Sequence, residues 1–111
     1  MFSIKNAIYY YDQAASHQDA AKVAAKLNLL QEVVDNISQS LVLYKEAAKS
    51  LEGYTWHPED VNSFSISLRV RELREEIEEY IRQGEISLSV ASHRLQRSKE
   101  KHRRNFYANL S

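Results

Sequence analysis

The sequence predicts an all-α protein built as a long antiparallel two-helix hairpin. Three observations carry that reading. Only two glycines and one proline occur in 111 residues, too few turn residues for a sheet protein of this size. Apolar residues recur at helical spacing through most of both halves. The main run of breakers, from Gly53 to Pro58, falls near the middle. The length allows one small domain, taken as residues 1–111.

The first element is read as one helix over residues 3–52. Ala20, Val23, Leu27, Leu30, Val34, Ile37, Leu41, Tyr44, Ala48 and Leu51 alternate steps of three and four without a break, the seam of a coiled-coil-like helix. Upstream, Ile4, Ile8, Tyr11 and Ala15 continue in a shifted phase, so a kink is expected near Ser16. Gly53, just past the last periodic residue, stops the helix. The turn spans about 53–58, with Pro58 suited to a first helical turn and Glu59 and Asp60 placed where the macrodipole favours acids. The second helix is read over 59–108. Its core face is Leu73, Ile77, Tyr80 and Leu88, opposite Val23, Leu30, Val34, Ile37 and Leu41, with Leu43 off the stripe. Gly84 interrupts this helix at a cost of about 1 kcal/mol relative to alanine and permits a bend or a close approach of the facing helix.

Composition narrows the chemistry. No cysteine is present, which excludes disulfides, thiolate metal sites and thiol catalysis. His17, His57, His93 and His102 show no helical metal-ligand spacing, and no metal or other cofactor is expected. The run of Glu72, Glu75, Glu76, Glu78 and Glu79 alternates with arginines, as on a solvated face. No phosphate loop or nucleophile elbow occurs, so an enzyme is not expected. No window approaches the roughly 20 apolar residues of a membrane span. The first residues lack a signal-peptide layout, so a cytoplasmic location is expected, with export only by a signal-peptide-independent route.

Net charge is zero but unevenly placed. Residues 54–85 carry four basic and eight acidic side chains, whereas residues 86–111 carry six basic and one acidic. Such a basic end can contact nucleic acid or an acidic partner. The reading preferred from sequence is a solvated helix end complementing the macrodipole, and nucleic acid is not expected as a partner.

A two-helix seam cannot hide all the apolar residues. Ile4, Ile8, Tyr11, Val33 and Ile86, and notably Tyr9, Tyr10, Val42, Leu43, Ile66 and Val70, fall outside it, which is the physical reason to expect a helical partner or a second copy, completing a four-helix bundle. Three consecutive tyrosines, Tyr9 to Tyr11, point in three directions on a helix, so at least one is exposed or meets a partner. Trp56 lies in the turn, either sealing the hairpin end or serving as a recognition anchor.

The stretch Glu52-Gly53-Tyr54-Thr55-Trp56-His57-Pro58, with Phe64 eight residues after Trp56 and a helix on either side, resembles the WXG-type helical hairpins of type VII (ESX) secretion. More narrowly, it is similar to the small helical partners of LXG-type polymorphic toxins. The motif covers only about residues 52–68. Pro58 stands where that motif has glycine, and the Tyr-x-x-x-Asp/Glu export signal is missing, since Tyr80 is followed by Gly84 and Tyr107 by Ser111. The resemblance implies a non-enzymatic binding partner or targeting chaperone that pairs with a toxin's N-terminal helical domain and is exported with it. Partner-binding residues on this reading are Tyr9, Tyr10, Val42, Leu43, Trp56, Phe64, Ile66 and Val70. The alternatives are a phage or mobile-element assembly or inhibitor protein, in which the basic end would matter, and a homodimeric helical scaffold.

Overall fold

The computed structural model describes residues 2–53 and 61–110, the side chains of 61–67, 106, 107, 109 and 110 excepted. The described residues form three helices and no strand: α1 Ile4–Lys26, α2 Leu30–Ser50 and α3 Val61–Leu110. The all-helical expectation holds. The single helix expected over 3–52 does not form, because the chain folds back at residues 27–29 and not near Ser16.

The fold-back is a Schellman turn. Asn28 N–H donates to the Ala25 carbonyl at 3.1 Å and Leu29 N–H to the Ala24 carbonyl at 2.9 Å, so two carbonyls at the end of α1 are satisfied. The motif needs a left-handed residue after the cap, and Asn28 supplies it at φ 59°. Asparagine tolerates that region better than most side chains. At the other end of α1, the Ser3 hydroxyl accepts from Asn6 N–H and Ser3 N–H donates to the Ser50 carbonyl at 2.7 Å. That bond ties the start of α1 to the end of α2, and a His17–Asn36 side-chain bond at 3.0 Å joins them midway. The two helices are therefore antiparallel and in register along their whole length.

Small residues make this pairing close. Ala7, Ala14 and Ala21 recur every seven residues on the buried face of α1, and Val33, Ser40 and Ala47 do so on α2. The register places Ala7 level with Ala47, Ala14 with Ser40 and Ala21 with Val33. Val23 and Leu27, expected in the seam, are instead 57% and 64% exposed, because the fold-back turns their face of α1 to solvent. Further along the stripe, Leu30, Val34 and Ile37 are half-buried, whereas Leu41, Tyr44 and Leu51 are buried.

α3 packs antiparallel on α2. Arg74 Nη2 donates to the Leu51 carbonyl at 2.9 Å, closing the C-terminal end of α2. Ile77 is fully buried beside Tyr44 and Leu51, with Leu73 and Tyr80 packed against them. Leu88 is half-buried. Ala91 shares a second cluster with Val33 and Ala24. Gly84 lies against Leu41: a Cβ there would stand 2.7 Å from Leu41 Cδ2 and 3.2 Å from Cγ. The close approach foreseen for Gly84 is thus present. This register runs out of α2 near Leu95 and passes Asn28 near Arg97, so the last thirteen residues of α3 extend past the Asn28 turn. The molecule is accordingly long, 78 × 19 × 18 Å.

Two substitutions test this architecture by chemical denaturation. Asn28→Gly should leave stability within about 0.5 kcal/mol, while Asn28→Ala, forced to keep a left-handed backbone, should cost about 1 kcal/mol. Equal effects would place the turn elsewhere. Gly84→Ala should destabilise by about 1 kcal/mol, overpacking against Leu41 outweighing the gain in helix propensity. In a Leu41→Ala background the same change should become stabilising, and a failure of the sign to reverse would remove the Leu41 contact as its cause.

Candidate partner-binding groove

α2 packs along both other helices, while α1 and α3 stand farther apart and meet chiefly through side chains. A trough therefore runs between α1 and α3, with α2 as its floor. Its inner part, about 550 Å³, lies over Val33, Ile37 and Ser40 between Ala21 and Ala25 of α1 and Gly84 and Ser87 of α3. Its outer part, also about 550 Å³, continues over Val33 and Ile37 to Leu30, Ile86, Val90 and Arg94. The walls combine small residues, Ala21, Ala25, Gly84 and Ser87, with the polar Gln18, Asp19, Lys22 and Gln83, and Val33 and Ile37 make the floor apolar. Ile86 and Val90 on the α3 wall are 62% and 47% exposed.

Three tyrosines, one from each helix, close the inner end. Tyr44 stacks on Tyr80 with ring centroids 5.2 Å apart and 19° between planes. Tyr11 meets both edge-on, at 5.7 Å and 6.1 Å, an arrangement favoured by the ring quadrupoles. Two of the three hydroxyls donate to side chains outside the cluster: Tyr11 to Glu76 Oε1 at 2.6 Å and Tyr44 to Gln18 Oε1 at 2.8 Å. Burial, the Glu76 carboxylate and the nearby Tyr80 push the Tyr11 phenol well above its ordinary range. Burial, with Tyr80, Glu76 and Asp19 nearby, pushes Tyr44 up to about 12. Both phenols stay neutral and protonated near pH 7, where they donate.

The residues expected to bind a partner are not gathered at this groove. Tyr9 is exposed, edge-on to Tyr10 at 5.5 Å, and lines a shallow hollow with Asp12, Gln13, Ser16 and His17. Tyr10 and Leu43 are half-buried against the main core. Val42 is exposed on α2, at 57%. Val70 is 4% exposed, so its surplus relative to a two-helix seam is taken up by the three-helix core and it offers no partner surface. Trp56 lies outside the described residues, as do the side chains of Phe64 and Ile66. Conversely, Val90 and the tyrosine cluster were not singled out by sequence as a site. The signal was the set of residues left over from one seam, which already included Tyr11, Val33 and Ile86.

Among the described residues, no group of three or more His, Asp or Glu side chains could hold a metal ion. No helix there is long and apolar enough to cross a membrane. Comparison with protein-family models, curated proteins and solved structures finds no match.

The tyrosine cluster makes a pH prediction. Tyr44 ionises near 10.0 when unfolded and near 12 when folded, so the folded chain holds a proton that the unfolded chain loses. Its contribution is complete below pH 10 and is lost as pH rises toward 12, by roughly 1–2 kcal/mol once groove water is allowed for. Urea midpoints should be level from pH 7 to 9 and fall above pH 10, less steeply in Tyr44→Phe. An equal fall in that variant would show that Tyr44 is not the group responsible.

Proposed function

We propose that this chain is a non-enzymatic helical adaptor that receives a partner's helix in the trough between α1 and α3. The observation that carries the reading is the apolar floor at Val33 and Ile37, bordered by exposed Ile86 and Val90. An amphipathic helix placed there would cover the floor and complete a four-helix bundle around α2, with anchors at i, i+3, i+4 and i+7 meeting the apolar residues. Small wall residues favour close approach, and the tyrosine cluster gives the trough an inner end that would fix register.

An LXG-type toxin's N-terminal helical domain is the first partner to try, on the strength of the sequence around Trp56. On that reading the chain meets the domain in the cytoplasm and acts as its targeting chaperone. The fold-back at Asn28 removes the fifty-residue first helix that formed part of that resemblance. The adaptor reading is accordingly the broader claim, and the toxin partner is one instance of it. Self-association through the same trough is the alternative occupant.

Co-purification of the tagged chain with such a domain, alongside sedimentation equilibrium of the chain alone, tests the proposal. Ile86→Asp and Val90→Asp should leave helicity unchanged, since both side chains are already exposed, yet reduce capture at least tenfold, about 1.4 kcal/mol or more. Capture that survives both substitutions would move the site elsewhere. A monomer that binds no helical domain would overturn the adaptor reading itself.

A further inference from the structure

The last thirteen residues of α3 run beyond the Asn28 turn, a length of about 20 Å at 1.5 Å per residue. Nothing from α1 or α2 reaches that far in the register set by Arg74, Gly84 and Ala91. Arg94, at the mouth of the trough, and Arg97, Lys101 and Arg104 on the projecting arm follow steps of three, four and three, one face of a helix. All four are exposed. Lys99 and Arg103 lie on the opposite face. Among the described residues, none of these six cations makes an ion pair. The one acid on the arm, Glu100, accepts a hydrogen bond from Gln96.

The helix macrodipole does not account for them. Its field falls off within the last turn, and the last turn of α3 carries no basic residue. Nor does the arm resemble a protein interface. Ten consecutive residues, 96–105, include no apolar side chain, whereas the core of a protein–protein interface is depleted in charge. A surface of projecting cations without an apolar centre matches the polar, highly positive contacts made to nucleic-acid phosphates.

We propose that this arm is a sequence-independent binding site for duplex nucleic acid, with Arg94, Arg97, Lys101 and Arg104 on the phosphates. Four cations span about 15 Å of helix, enough to meet several phosphates of one duplex. The site adjoins the trough at Arg94, which lines its outer part, while Arg97, Lys101 and Arg104 lie outside the trough lining.

Fluorescence anisotropy of the full-length chain with a labelled 24-base-pair duplex tests the proposal. Binding should be measurable at 50 mM salt and should weaken with a log–log slope of about −3 to −4, as for three or four phosphates neutralised. The triple variant R97Q/K101Q/R104Q should lose at least tenfold in affinity and flatten the slope by between two and three. Circular dichroism of that variant should match the parent, because the substituted side chains are exposed. Arg71→Gln, on the same helix but within the bundle, should bind like the parent. No binding at 50 mM salt, or binding unchanged in the triple variant, would overturn the proposal. So would capture of anionic vesicles or an acidic protein through these cations without any duplex binding.

Discussion

Alanine at every seventh position on α1 is the constraint from which the rest of this architecture follows. Side chains this small allow helix axes to approach to about 8 Å, the short end of the usual range. Ala7 and Ala14 are completely buried, and α1 lies tight along α2. α3 settles mainly on α2, and it meets α1 chiefly through side chains such as Tyr80 and Glu76 on Tyr11. The tyrosine cluster is the place where all three helices meet. Large rings there span a separation that alanines could not, and their stacked and edge-on geometry fixes how α3 is rotated about its own axis. The trough is what remains between α1 and α3 beyond that point.

Polar groups reinforce this packing at its ends. The Asn28 turn, the Ser3–Ser50 bond and the Arg74–Leu51 bond each satisfy backbone groups at helix termini, which would otherwise carry a desolvation cost. Surface ion pairs contribute less. Lys45–Glu85 joins α2 to α3 at 3.4 Å, but both side chains are more than half exposed, and such pairs are worth at most about 1 kcal/mol.

Sequence periodicity identified the helical class, and core positions of the second half within the described residues were read as they fold. Ile77, Leu73 and Tyr80 face the core, and Gly84 meets the facing helix. The first half misled for a physical reason. The three–four spacing continues through Leu27 and Leu30 without a change of step, so nothing in the apolar pattern marks the turn between them. The marker is Asn28, whose capacity for a left-handed backbone is weaker than glycine's and has no periodic signature. The alanine repeat was also legible, but alanine registers as a helix former rather than as a packing residue when a large-residue stripe is available. Once α1 folds back, Val70 moves from surplus to core, and Val23 and Leu27 move the other way. The site shifted with the fold: residues in excess for two helices were partly absorbed by three, and Ile86 and Val90 are among the apolar residues left exposed.

Zero net charge conceals two poles along α3. The acidic run ends at Glu79 and the projecting cations begin near Arg97, about 27 Å apart along the helix axis. That exceeds the Debye length at physiological salt, about 8 Å, several times over. The poles therefore do not neutralise each other, and each presents its own sign to solution. The acidic pole lies on the bundle, where Glu76 accepts the Tyr11 hydroxyl and Glu79 pairs with Arg82. The basic pole lies where no other helix runs alongside. With no apolar stripe over residues 96–105, the arm has no hydrophobic reason to fold back onto the trough. A rigid helix thus holds a field of positive charge away from the bundle, leaving the apolar trough open for a different occupant. Arg97, Lys101 and Arg104 lie outside the trough lining, and this separation makes the trough and the arm independently testable in one chain.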